Sequence, residues 1–152
     1  MADDNDNARH RPSEPSPEVK RLGRLVGAWD VSGDYLQGTS TFEWMEGGFF
    51  LIQRFDFERQ DGQGIQGIEV IGHERRFGSE PSEEIKSRVY TNTGDTLDYV
   101  YELEGDTLTI WFGEKGSPAY YEGMFGEDGD TLAGAWRFPG GGGYEATSTR
   151  VE

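Results

Sequence analysis

The chain contains no cysteine, so disulfide frameworks, thiolate zinc sites and cysteine nucleophiles are all excluded. Its two histidines are too few for a three-histidine metal centre. Bases are scarce as well: 14 Lys and Arg against 29 Asp and Glu leave a formal charge of -15, a surface that repels phosphate backbones and anionic lipids. Neither nucleic acid nor a membrane is an expected partner. Long apolar runs are also missing. Residues 1–19 are polar, and the longest apolar stretch, Phe49, Phe50, Leu51 and Ile52, falls far short of a signal-peptide core or a membrane span, which predicts a cytoplasmic protein.

What remains is a chain of 152 residues, the usual size of one domain and long enough to bury a core without a staple. Residues 1–15 mix Asp, Asn, Arg and Pro with no large apolar side chain beyond Met1, and are expected to form a disordered tail. Residues 16–152 make up the predicted domain. At its start Ser16 can cap a helix, Pro17 suits the first turn, and Val19, Leu22, Leu25 and Val26 share one face, which predicts a short amphipathic helix over residues 16–26.

From Ala28 onward, runs of aromatic and β-branched residues alternate with Gly and Asp clusters. Turns are expected at Gln37-Gly38, Glu46-Gly47-Gly48, Asp61-Gly62-Gln63-Gly64, residues 78–81, Asn92-Thr93-Gly94-Asp95, Glu104-Gly105-Asp106, residues 115–118, 127–130 and 139–143. Nine turns imply ten strands. Short connections make neighbours antiparallel, and a ten-strand meander removes both its edges by closing. The predicted fold is an all-β, closed, antiparallel up-and-down barrel of about ten strands with a short N-terminal helix.

Turn length sets pairing parity, so inward faces propagate from strand to strand. Starting from Trp29 inward, the expected interior includes Val31, Tyr35, Ser40, Phe42, Trp44, Leu51, Gln53, Phe55 and Phe57. A two- or four-residue loop at Asp61 to Gly64 then selects Ile68, Val70 and Gly72, leaving Glu69 and His73 outside. At Asn92 to Asp95 two registers stay open: a three-residue loop pairs Val89 with Leu97, whereas a two-residue loop turns Lys86, Arg88 and Tyr90 inward. Later strands contribute Tyr99, Tyr101, Phe112, Tyr121 and Trp136. The candidate ligand-binding residues are therefore Tyr35, Phe42, Trp44, Gln53, Phe55, Arg88, Tyr99, Tyr101, Phe112, Tyr121 and Trp136.

Gly27-Ala28-Trp29, a Gly-x-Trp at the entry of the first strand, together with Arg150 near the end of the last, resembles the calycin superfamily of lipocalin-like barrels. Phe42-Glu43-Trp44, Tyr99-Val100-Tyr101 and the run from Gly129 to Trp136 are similar to uncharacterised bacterial members, and the resemblance covers about residues 22–151. It implies structural roles for Gly27, Trp29 and Arg150, with Trp29 at the closed end and Arg150 packed across it. It also implies a carrier of small apolar molecules, distantly similar to fatty-acid-binding-protein-like barrels and to nitrobindins. Nitrobindins hold haem through a C-terminal His, and no His follows His73 here, so no cofactor is expected.

Other motifs point less far. Gly62-Gln63-Gly64-Ile65-Gln66-Gly67 matches a dinucleotide fingerprint, but a strand pattern follows where a helix N-terminus is required. The polar run from Asp3 to Glu14 has acids and amides at calcium-loop spacing but carries Ala8 where Gly is needed. No metal is expected. Glu43, Glu69 and Glu102 could act as bases, yet each alternates with apolar neighbours and is expected to face solvent. The leading function is non-catalytic binding of a small, largely apolar molecule inside the barrel. The alternatives are a cofactor-independent isomerase or cyclase in the same cavity, marked by an inward titratable group, and an interaction module built on outward Phe50, Ile52, Ile71 and Trp111. A homodimer is compatible with each.

Overall fold

In a computed structural model of the chain, which describes residues 14–151, Ser16 caps a helix as expected. Its side chain accepts a hydrogen bond from the Val19 amide at 3.1 Å. Helix α1 (Pro17–Arg21) passes at Leu22 into a 3-10 turn (Leu22–Leu25), and Val19, Leu22 and Leu25 are buried. Of the expected tail, residues 1–13 lie outside the described residues, and with them most of the calcium-like run. Glu14 accepts an ion pair from Lys20 at 3.1 Å.

Ten strands follow: β1 (Gly27–Ser32), β2 (Leu36–Trp44), β3 (Leu51–Arg59), β4 (Gly64–His73), β5 (Ile85–Thr91), β6 (Thr96–Glu104), β7 (Thr107–Phe112), β8 (Tyr120–Phe125), β9 (Thr131–Arg137) and β10 (Tyr144–Val151). Each pairs antiparallel with its sequence neighbours, and β1 pairs with β10 to close the barrel. Trp29 stands opposite Arg150 in that closing pair. No helix among the described residues is long and apolar enough to cross a membrane.

Several expected registers hold. Trp44 faces Leu51, Leu103 faces Leu108 and Phe125 faces Leu132, and of the two registers left open after Thr91 the three-residue loop is the one formed, with Val89 facing Leu97. Two expectations fail. Gln37 and Gly38 are not a turn but lie inside β2, where a Cβ on Gly38 would come within 2.1 Å of the Asp56 carbonyl oxygen. That glycine serves a close backbone approach, and the chain turns earlier, between Ser32 and Leu36. The slip is by an even number of residues, so Ser40 and Phe42 still face in.

The second failure reverses a face. Arg59 and Gln63 bond through their backbones at 2.8 Å, leaving a three-residue loop in which Gly62 takes a φ of 87°. Glycine supplies that left-handed position without steric cost. Three residues instead of two or four place Ile65, Gly67, Glu69 and Ile71 opposite Phe57, Phe55, Gln53 and Leu51. Ile68 and Val70 therefore point outward. Ile71, expected in an outer apolar patch, is fully buried inside, and Phe50 lies over Gly72.

At the lower end of the barrel Leu51, Ile71, Ile85, Leu103, Phe125 and Leu132 pack against Val19, Leu22, Leu25 and Trp29. The Arg150 guanidinium sits 4.2 Å from the Trp29 ring centroid and donates to the carbonyls of Val26, Arg24 and Gly129, while its Nε donates to Asp130 at 2.9 Å. Trp29 Nε1 in turn donates to the Leu25 carbonyl at 2.8 Å. A Cβ at Gly27 would strike Arg150, so that position has no room for a side chain. Gly27, Trp29 and Arg150 thus lock the 3-10 turn across the barrel floor.

Candidate functional site

Above this floor the barrel is hollow. A cavity of about 300 Å³ extends from Leu25 and Trp29 towards the opposite end, where Tyr35, Phe57, Ile65, Leu97 and Tyr144 surround its mouth. It exists because ring-bearing strands alternate with positions that carry little or nothing inward. Gly67 lies under Phe55, whose ring would be 2.6 Å from a Cβ there, and Gly134 lies under Tyr121 at the same distance. Ala146 and Ser148 supply the inner face of β10. Those small residues let aromatic rings lie along the wall instead of meeting at the centre.

Of the candidate ligand-binding residues, Tyr35, Phe42, Gln53, Phe55, Tyr99, Tyr101, Tyr121 and Trp136 line the cavity. Three do not. Arg88 is on the outer wall with its Nε 2.7 Å from Asp98, as the three-residue loop after Thr91 dictates. Trp44 is inward but too low, packed against Gly23 under the floor helix. Phe112 stands at the rim, 41% exposed, with its ring 5.7 Å from that of Tyr99.

The rings form a continuous set: Trp136 lies 5.7 Å from Tyr99 and 5.6 Å from Tyr121, and Tyr35 lies 4.8 Å from Tyr144. Burial pushes the phenols of Tyr121 and Tyr144 up to about 12, so both remain protonated donors near neutral pH. Gln53 makes no side-chain hydrogen bond among the described residues and lines the same space.

Glu69 is the residue that sequence reasoning placed on the wrong side. It is 4% exposed, lines the cavity, and is held by two hydroxyls: Ser87 donates to Oε2 at 2.7 Å and Tyr101 donates to Oε1 at 2.8 Å. Burial pushes its carboxyl up from 4.5 to about 7, opposed by those two hydrogen bonds. Desolvation dominates because a charge loses more water here than two neutral donors replace. Near neutral pH both protonation states are populated. Glu43 and Glu102, by contrast, do face outward, paired with Arg54 and Lys115.

His73 belongs to the inward register, contrary to expectation, but at the floor. Its Nδ1 lies 2.7 Å from the Ser82 carbonyl oxygen and its Nε2 lies 2.8 Å from Ser16 Oγ. With Nδ1 donating to the carbonyl, Nε2 accepts from the same serine that caps α1. The histidine ties the floor helix to the segment after β4 and does not reach the cavity. Gly62 and Gly64 belong to the β3–β4 hairpin and the start of β4, with no helix after them. Among the described residues no three His, Asp or Glu side chains come together as metal ligands.

No protein-family model matches the chain, and no curated protein matches it. Among solved structures it is similar to a de novo designed fluorescence-activating β-barrel at 12% identity and a TM-score of 0.47, over 86% of this chain and 97% of the other. Likeness at that level carries no functional argument and identifies no calycin or lipocalin family. The case for a site rests on the cavity itself.

Proposed function

We propose that this protein binds a small, largely apolar molecule in the upper half of its barrel without transforming it. The observation that carries the reading is a hollow of about 300 Å³, floored by Trp29, walled by aromatic rings and open at one end. Ligand sites of this kind run from roughly 300 to 1,000 Å³, and release of water from ring surfaces supplies most of their affinity. Gln53, Tyr99 and Tyr121 orient the polar end of the bound molecule.

The test is titration with a neutral naphthalene dye whose emission shifts to the blue in apolar surroundings. One saturable site is expected in the wild type, abolished by Ala146→Trp, which places an indole in the hollow. A lack of saturation, or equal binding by the filled variant, overturns the reading.

One observation favours a second function, a cofactor-independent isomerase. Glu69 is an inward carboxyl with a pKa near the operating pH, the property a general base requires. Ionised Glu69 would take a proton from one carbon of the substrate and return it to another, with the Tyr99 phenol donating to the developing oxyanion. Native mass spectrometry and NMR of the molecule retained from the protein's own cells separate the two readings. A bound molecule that exchanges a carbon-bound proton with deuterated water in the wild type but not in Glu69→Gln favours the enzyme.

A further inference from the structure

We infer that the hollow selects cations: its ligand is a small apolar molecule carrying one basic nitrogen, seated with that nitrogen against Glu69. The inference rests on the binding function proposed above and names its ligand class. Among the described residues that line the cavity, Glu69 is the sole charged side chain. The bases of the neighbouring strands are turned away, Arg54 to Glu43, Arg88 to Asp98 and Lys86 to Glu74 on the outer wall. Arg59 is at the rim, 5.6 Å from the Tyr35 ring centroid and 3.2 Å from Asp61, and Arg150 is at the floor, 2.9 Å from Asp130. A ligand carboxylate would therefore meet a buried carboxyl with no cation beside it.

An ammonium meets the opposite environment. It could donate to lone pairs of Glu69 not taken by Ser87 and Tyr101, and to the Gln53 amide oxygen directly across the β3–β4 pair. The faces of Tyr99, Tyr121 and Trp136 attract a cation electrostatically. The overall charge of -15 draws cations toward the mouth. The titratable groups facing Glu69 are Tyr99 and Tyr101 on β6, both held protonated by burial, while β3 and β5 present the non-titrating Gln53 and Ser87. No competing base shares the site. A bound cation would hold Glu69 ionised, and since burial raises its carboxyl to about 7, binding below that pH must expel a proton.

The experiment compares 4-phenylbutylamine, 4-phenylbutanol and 4-phenylbutanoate by calorimetry and by displacement of the neutral naphthalene dye. At pH 8 the amine is expected to bind about tenfold more tightly than the alcohol, with the carboxylate weakest. Affinity for the amine should fall about tenfold per pH unit below pH 7, with proton release seen as a dependence of binding heat on the buffer. The alcohol should show no such slope. Glu69→Gln should erase the advantage of the amine, so that amine and alcohol bind alike. Should that variant fail to fold, the pH series on the wild type decides alone. Equal binding by amine and alcohol, a flat pH profile for the amine, or preference for the carboxylate overturns the cation inference while dye binding leaves the carrier reading intact. If neither the dye nor any of the three ligands saturates, both fail.

Discussion

The lower and upper halves of the barrel are built from the same ten strands, yet one is solid and the other hollow. In the lower half the inward residues are mostly aliphatic and meet a plug supplied by the chain itself, Val19, Leu22 and Leu25. In the upper half they are mostly rings and very small residues, and nothing from the described chain fills the middle. A dry void of about 300 Å³ would cost about 7 kcal/mol at roughly 24 cal/mol per Å³, as much as many domains have in total stability. The contrast teaches where each half gets its order: the floor from packing within the chain, the hollow from what enters it.

The strongest way to break this comparison is at the floor. Trp29 is 1% exposed, stacked under Arg150 and bonded to the 3-10 turn. Trp29→Ala is expected to cost about 3 to 5 kcal/mol in urea unfolding. Under conditions where the variant stays folded, its dye affinity should weaken, since the indole floors the hollow, but by less than about tenfold, a ratio of about 1.4 kcal/mol that is smaller than the loss of stability. A floor variant that loses less than about 1 kcal/mol would show that the lower half is not the load it is taken to be.

Glu69 stands where the two halves meet, and its effect depends on pH. Its carboxyl is raised to about 7 in the folded state against 4.5 ordinarily, so the folded chain binds this proton more tightly than the unfolded chain does. Its favourable contribution is complete below pH 4.5 and is lost as pH rises through about 7. The difference corresponds to about 3 kcal/mol. Comparing wild type with Glu69→Gln isolates it from the other acids: the stability gap between them should move by about that amount between pH 4.5 and 8, in favour of the variant at high pH. A gap independent of pH would place Glu69 in contact with water. Ser87→Ala removes a bond that steadies the ionised form and should move the midpoint of this change upward, by less than the Glu69→Gln effect.

These residues also mark how far the sequence could be read. Strand number and closure were legible, because alternation and short turns are local features, and the Trp29–Arg150 floor followed from the resemblance carried by Gly27-Ala28-Trp29 and Arg150. Eight ring and amide residues of the hollow followed from parity alone. The face of β4 did not. Its run Gly64-Ile65-Gln66-Gly67-Ile68-Glu69-Val70-Ile71 carries apolar residues on both sides, since outward Ile68 and Val70 pair laterally with Tyr90 and Ile52. Alternation could not choose between them, so one loop residue decided. Gln60-Asp61-Gly62 was the available signal, a three-residue loop with Gly in its left-handed position. The burial of Glu69 depends on Ser87 and Tyr101, 18 and 32 residues away, which no local pattern brings together.

The mildest test sharpens the comparison at the mouth. Phe138 is 38% exposed, lies 6.2 Å from Trp136 and 6.3 Å from Tyr144, and borders the glycine-rich segment after β9. More than a third of its surface already meets water, so Phe138→Ala should cost about 1 kcal/mol or less in stability, the scale of a single aromatic contact. Its ring nevertheless stands beside that of Tyr144, which lines the mouth of the hollow. Stopped-flow release of the naphthalene dye should therefore accelerate severalfold while the unfolding midpoint barely moves, the reverse of the pattern expected for Trp29→Ala. If Phe138→Ala unfolds the protein as Trp29→Ala does, the rim is part of the core, and the division of the barrel into a self-packed floor and a ligand-filled hollow is wrong.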